Sequence, residues 1–229
     1  MRVIASFWIW LSPVLCLAQN TQLVSASPRG TEADYPAKSV ASLAERRVLP
    51  PFGELPKNSQ QIDEEIRFLN DCDKMFSSRE EASDFFASRG WEYLQEGQLD
   101  TACYRFNLAY LLNDRNIDAY WGLGVVCYQK DELVQAERVL RKGVQLSPDN
   151  VPLMVDLATV ELRHYTQVGD ADDLQEAHVL LLNAVGIDDA YAPAHFGLAT
   201  AKYYLEDFEG AWHHLHKGRR LDMSLMDID

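Results

Sequence analysis

The chain has 229 residues, enough for one ordered core or two small ones at roughly 100 to 200 residues per domain. Apolar residues make up 47% and charged residues 24%, which excludes a wholly disordered chain. With 21 Lys and Arg against 35 Asp and Glu the formal net charge is -14, so nucleic acid or an anionic membrane surface would meet repulsion, and neither is expected as a partner.

In chain order, Arg2 precedes an apolar run from Val3 to Leu11, followed by Ser12, Pro13 and the small residue Ala18. That order is the pattern of a secretory signal peptide over residues 1–18, cleaved after Ala18 or one residue on. The run is shorter than the roughly 20 residues of a spanning helix, so no direct membrane span is expected. Acylation at Cys16 is the alternative, disfavoured by the bulky Leu15 before it. Removal of Cys16 leaves Cys72, Cys103 and Cys127, with no zinc-type spacing; they read as packing residues, with room for one bridge, Cys103 to Cys127. Residues 19–60 carry five prolines, lack periodicity and read as a flexible linker.

From Ile62 the pattern changes. Ile62, Ile66, Leu69, Cys72 and Met75 recur at spacings of three and four, which predicts an amphipathic helix in a capping region over 61–82. Ser78 and Glu81 form a capping box for the next helix. Beyond it a motif repeats. Ala102, Ala136, Ala177 and Ala211 each follow Leu or Phe by three and precede Phe106, Leu140, Leu181 and Leu215 by four, at intervals of 34, 41 and 34 residues. The long interval predicts an insertion near residues 165–172. Pro148 ends a helix two residues past Leu146, and Asp173 with Glu176 is expected to cap the helix after the insertion.

These marks resemble the tetratricopeptide repeat family over residues 83–225. Gly90, Tyr93, Gly97 and Leu99 carry the resemblance in the first unit, Leu123, Gly124, Gly143 and Pro148 in the second. Two further units, with Leu157 and Ala158 and with Leu198 and Ala199, match less fully. The resemblance implies an all-α, right-handed superhelical solenoid of antiparallel helix pairs, about four repeats long. The block RGWEYL to AYWGLG, roughly Glu80 to Gly124, is also similar to bacterial envelope tetratricopeptide proteins, and with the signal pattern it implies a periplasmic or secreted location.

No phosphate-cradling loop, nucleophile elbow, metalloprotease helix or dinucleotide fingerprint occurs, so neither catalysis nor a cofactor is expected. His213, His214 and His216 lack a partner carboxylate or cysteine at metal-ligand spacing and read as a polar helix end; no metal is expected there. Asp170, Asp172 and Asp173 read as capping and solvated residues, since the spacing of a calcium loop is missing. The resemblance places Trp91, Trp121, Val125, Tyr128, Gln129, Thr159, Arg163, Phe196, Thr200, Tyr203 and Tyr204 on the groove-lining first helix of each pair, as candidates for gripping a segment of another protein. Packing of Trp91 and Trp121 between units is the competing role. The basic clamp that some relatives use on a terminal carboxylate is absent, because its places hold Ala87, Trp91, Gly122, Pro152 and Asp156. The expected function is a non-enzymatic interaction scaffold, with an assembly subunit of an envelope complex as the alternative. Association with further copies of the chain stays open.

Overall fold

A computed structural model describes residues 46–222. The expected signal segment, its cleavage point and Cys16 lie outside the described residues. Nine helices account for most of the described residues: α1 Ser59–Met75, α2 Arg79–Gln95, α3 Leu99–Leu112, α4 Ile117–Gln129, α5 Leu133–Leu146, α6 Val151–Val168, α7 Ala171–Ile187, α8 Ala192–Tyr204 and α9 Phe208–Leu221. No strand occurs among the described residues. After α1 they form four hairpins, α2/α3, α4/α5, α6/α7 and α8/α9. Each hairpin packs on the next, and the first helices of successive hairpins also touch. The architecture is a helical repeat solenoid.

The repeated small residues sit where helices cross. Ala102, Ala136 and Ala177 have no exposed surface, and Ala211, in the last pair, retains 9%. The tightest crossing is built on Phe106 of α3, itself fully buried. Its ring occupies the space a Cβ would need at both Gly90 of α2 and Gly122 of α4, at 2.6 Å and 2.1 Å. One ring thus fills a notch within its own hairpin and a notch in the next one. Leu140 repeats the arrangement against Gly124, and Leu181 against Gly197. Such interdigitation lets ridges of one helix enter grooves of its neighbour at short interaxial distance.

Local signals set the helix ends. Asn116 and Asn150 cap α4 and α6 by accepting from the N–H groups of Ala119 and Leu153, both at 3.1 Å. Buried Asn116 also donates to Ser83 Oγ and Asp84 Oδ1, tying the start of α4 to α2. At Ser78 the expected box is half made: Ser78 Oγ accepts from Glu81 N–H, but Glu81 accepts from Ser77 N–H. A complete box stands instead at Asn58 and Gln61. Within each hairpin the turn holds one residue in the left-handed region, at Gly97, Asp131, Gly169 and Glu206 (φ 74°, 62°, 80° and 62°). Glycine adopts that conformation freely, whereas an L side chain there costs roughly 1–2 kcal/mol.

Three expectations need correction. The extra seven residues of the third unit do not form a looped insertion. Helix α6 is five residues longer than α4, α7 is three longer than α5, and their connection is one shorter, so the addition is absorbed as extra helix. The Asp173–Glu176 cap does not form. Asp170 caps α7 by accepting from Asp172 N–H at 3.0 Å, which leaves Asp173 to His164 and Glu176 to Arg141. Finally, Cys72, Cys103 and Cys127 are all buried free thiols, so no Cys103–Cys127 bridge is made. Burial pushes the Cys103 and Cys127 thiols up to about 12, and both serve as packing residues.

The end of the expected linker is ordered as well. Residues 46–58 form a strap over α3 and α5. Fully buried Asn107 of α3 donates to the carbonyls of Arg47 (2.9 Å) and Leu49 (3.0 Å) and accepts from Phe52 N–H (3.1 Å). On α5, Gln135 donates to the Pro50 carbonyl and Arg138 pairs with Glu54 at 2.9 Å. The prolines do mark irregular backbone, but irregular backbone can still be pinned by side-chain amides.

Two substitutions probe these features. Gly122→Ala places a methyl inside the Phe106 ring and should lower stability by about 1–3 kcal/mol in guanidinium unfolding; an unchanged midpoint would mean that the ring is not wedged there. Glu206→Gly relieves the left-handed strain at a small cost in chain entropy, and should raise stability by about 0.5–1 kcal/mol in the same assay.

Candidate partner-binding face

The first helix of each hairpin presents its side chains to the first helix of the next, and the candidate residues join into a ladder. Trp91 of α2 meets Phe106 edge-on at 5.2 Å and Trp121 of α4 at 5.5 Å. Trp121 Nε1 donates to Asp156 Oδ2 of α6 at 2.6 Å. Both tryptophans are half-buried and pack between units, which is the competing role considered for them. Burial pushes the Asp156 carboxyl above its ordinary value, and the indole donor opposes that rise. Further along, the Arg163 guanidinium of α6 lies 5.1 Å over the Tyr128 ring of α4 and pairs with Asp131 Oδ1 at 2.8 Å. Val125 is half-buried and Gln129 exposed beside them.

Two polar candidates are less available than their exposure suggests. The Thr159 hydroxyl donates to the Val155 carbonyl at 2.8 Å, and the Thr200 hydroxyl to the Phe196 carbonyl at 3.1 Å. Their methyl groups, rather than their hydroxyls, are what they offer to a partner.

Four candidates gather at the last hairpin. Phe196, Thr200, Tyr203 and Tyr204 of α8, with Phe208, Trp212 and Leu215 of α9, line a cleft of about 420 Å³. Tyr203 and Trp212 are each 59% exposed and Phe208 56%. Tyr203 meets Tyr204 and Phe208 edge-on, and Tyr204 meets Tyr165 of α6. The candidate set therefore divides into half-buried side chains that pack between units on α2 and α4, exposed residues Gln129, Thr159 and Arg163, and the α8 residues that open with α9 into a solvent-facing aromatic cleft. Trp212 and Asp156 were not among the groove residues expected from the sequence. Trp212 directly follows the repeat alanine Ala211 on a second helix; the signal that would have found it is an aromatic outside the repeat's apolar set in a terminal unit.

No family model matches the chain, and no curated protein matches it. Solved structures of similar fold include PilF of Pseudomonas aeruginosa, at 24% identity and TM-score 0.56 over 63% of each chain. TTC0263, a thermophilic tetratricopeptide repeat protein of Thermus thermophilus, matches at 19% identity and TM-score 0.55 over 61% of this chain and 74% of its own. YrrB, described as a tetratricopeptide repeat protein with an unusual peptide-binding site, matches at 20% identity and TM-score 0.53 over 80% of this chain and 90% of its own. The fold is that of tetratricopeptide repeat proteins. Against PilF the match spans less than two thirds of that chain's length.

The histidine-rich end of this solenoid is arranged differently from a solvated helix terminus. His195 of α8 is fully buried, with Nε2 3.0 Å from the Asp189 carbonyl and Nδ1 3.0 Å from His214 Nδ1 of α9. A carbonyl only accepts, so His195 Nε2 donates; with both rings neutral, His195 Nδ1 accepts and His214 Nδ1 donates. The two rings stack at 5.3 Å, while Trp212 stacks on His216. Burial first, then the neighbouring His195, His213, Lys202 and Lys217, push the His214 imidazole down to about 4. Its ordinary value is about 6.5, so between these values the unfolded chain binds a proton that the folded chain refuses. The stabilising contribution is full above about pH 6.5 and is lost as pH falls toward 4. His214→Gln should therefore flatten the fall in thermal midpoint between about pH 7 and pH 5; an identical slope in both proteins would show that His214 does not carry it.

Proposed function

We propose that this chain is a non-enzymatic protein–protein interaction scaffold of the bacterial cell envelope, which holds a segment of another protein on its first-helix face and in the cleft between α8 and α9. The observation that carries the proposal is the exposed aromatic cleft of Tyr203, Tyr204, Phe208 and Trp212, because large exposed aromatics in a concave site are what binding hot spots are made of. Arg163 over Tyr128 extends that surface toward the centre of the solenoid. The described peptide-binding site of YrrB, a protein of similar fold, supports the same reading. The envelope location rests on the signal pattern of residues 1–18 and the RGWEYL to AYWGLG block. No helix among the described residues is long and apolar enough to cross a membrane.

Charge narrows the partner. Acidic residues exceed basic ones by fourteen, and Asp131 and Asp156 lie on or beside the ladder, so the favoured segment is apolar or basic. Displayed peptides selected on the purified chain should be rich in apolar residues with Lys or Arg. Tyr203→Ala and Trp212→Ala should each weaken the selected peptides roughly 10-fold or more, with helicity unchanged. Enrichment of acidic peptides, or binding indifferent to both substitutions, would overturn the proposal.

A further inference from the structure

In the first three hairpins the same part of the next first helix packs onto the pair. Leu123 of α4, Leu157 of α6 and Leu198 of α8 follow one another at 34 and 41 residues, the intervals of the repeat alanines. Each is the centre of a buried stripe at i, i+4 and i+7: Ala119, Leu123 and Val126; Leu153, Leu157 and Val160; Ala194, Leu198 and Ala201. The α6 stripe shares an apolar cluster with Leu133 and Leu140 of α5, and the α8 stripe shares one with Leu174 and Leu181 of α7. Just before each central leucine stands a short residue, Gly122, Asp156 or Gly197. At the two glycines Phe106 and Leu181 take the space of a Cβ, so nothing larger fits there without displacing them.

A displacement of 75 residues carries the second hairpin onto the fourth: Leu133 onto Phe208, Leu140 onto Leu215 and Tyr128 onto Tyr203. With α6 beside it Leu133 is 4% exposed, whereas Phe208, with no further hairpin over it among the described residues, is 56% exposed. The polar fringe is kept as well. Arg163, six residues past Leu157, lies over Tyr128 and pairs with Asp131 in the turn of the second hairpin. The fourth hairpin offers Tyr203 and, at the same left-handed turn position, the exposed Glu206. One exchange alters the demand. Trp121, which donates to Asp156, gives way to Phe196, which has no N–H to offer, so an acidic residue before the central leucine would lose its donor.

Resting on the scaffold reading, we propose that the α8/α9 cleft binds an amphipathic α-helix of another protein, seated as the first helix of a further hairpin would be. That helix carries Gly or Ala against Leu215 and Leu directly after it. Apolar residues stand four before and three after that Leu, and Arg or Lys six after it meets Tyr203 and Glu206. The surface it covers is the one that α6 covers on the second hairpin, continued by one unit.

The probe is a synthetic peptide with the α6 sequence, residues 151–168, carrying Asp156→Gly and titrated into the purified chain by calorimetry. One peptide should bind saturably per chain, and the Cα chemical shifts of the labelled peptide should turn helical. Leu157→Asp in the peptide should weaken binding about 10-fold or more, and so should Tyr203→Ala or Trp212→Ala in the chain, exposed positions that leave its own α5/α6 crossing intact. Arg163→Glu in the peptide should weaken it about 5-fold, and Glu206→Lys in the chain should recover that loss. The proposal fails if the peptide does not bind, or if Leu157→Asp and the charge exchange leave binding unchanged. It fails as well if a second copy fills the cleft, seen in sedimentation as a dimer that Trp212→Ala dissociates. Displayed peptides that depend on Tyr203 and Trp212 yet bind as extended chains would overturn the helix and leave the scaffold reading standing.

Discussion

Everything in this solenoid depends on one steric constraint, the fit of a bulky side chain into a place on the facing helix that has no side chain of its own. Phe106 satisfies it twice, against Gly90 and Gly122, and Leu140 and Leu181 satisfy it at later crossings. Phe106 and Leu181 reach a glycine in the next hairpin, whereas Leu140 fills a notch within its own, and Leu153 meets Gly143 where the second and third hairpins join. Removing water from such knobs supplies about 25 cal/mol for each Å² of apolar surface buried, and the closeness of the fit decides how much dispersion energy is added to it. The buried Ala102, Ala136 and Ala177 hold the same role on the second helices, where a larger residue would push the pairs apart.

Two sorts of surface result. Along the first helices the N-terminal half of the ladder is closed by Trp91, Trp121 and Asp156, while the last hairpin leaves its aromatics facing solvent. The difference follows from position. In the middle of the stack each hairpin packs on a neighbour on both sides, but among the described residues α8 and α9 have one on a single side. Leu215, the counterpart of Phe106, Leu140 and Leu181, is accordingly only half-buried. The polar junction of Arg141, Glu137, Glu161 and Glu176 joins the second and third hairpins, and burial pushes the carboxyl of its innermost member, Glu161, up to about 8.

The fold was legible because its determinants recur. Alanines at intervals of 34, 41 and 34 residues, each with a bulky residue four on, are visible without any structure, and each of them lies on the second helix of a hairpin. The features that were not legible are those in which non-recurring residues decide. The seven added residues of the third unit point to an insertion near residues 165–172, yet Gly169 there serves as the left-handed C-cap of an extended α6. Asp173 looked like a cap because carboxylates commonly are, and only the position of His164, nine residues earlier, redirects it. The candidate residues lie on the first helices of the hairpins. Their division into packed and open sets turns on which neighbours exist, and no single repeat records that.

The strap over α3 and α5 has a mechanical consequence. A bare stack of hairpins frays from either end, because its terminal unit is held by one interface alone. Here Asn107 in the first hairpin and Gln135 in the second grip the same preceding stretch of backbone, so the front of the array is belted across two units. Among the described residues, parting the first hairpin from the second then requires breaking these amide contacts as well as the helix interface.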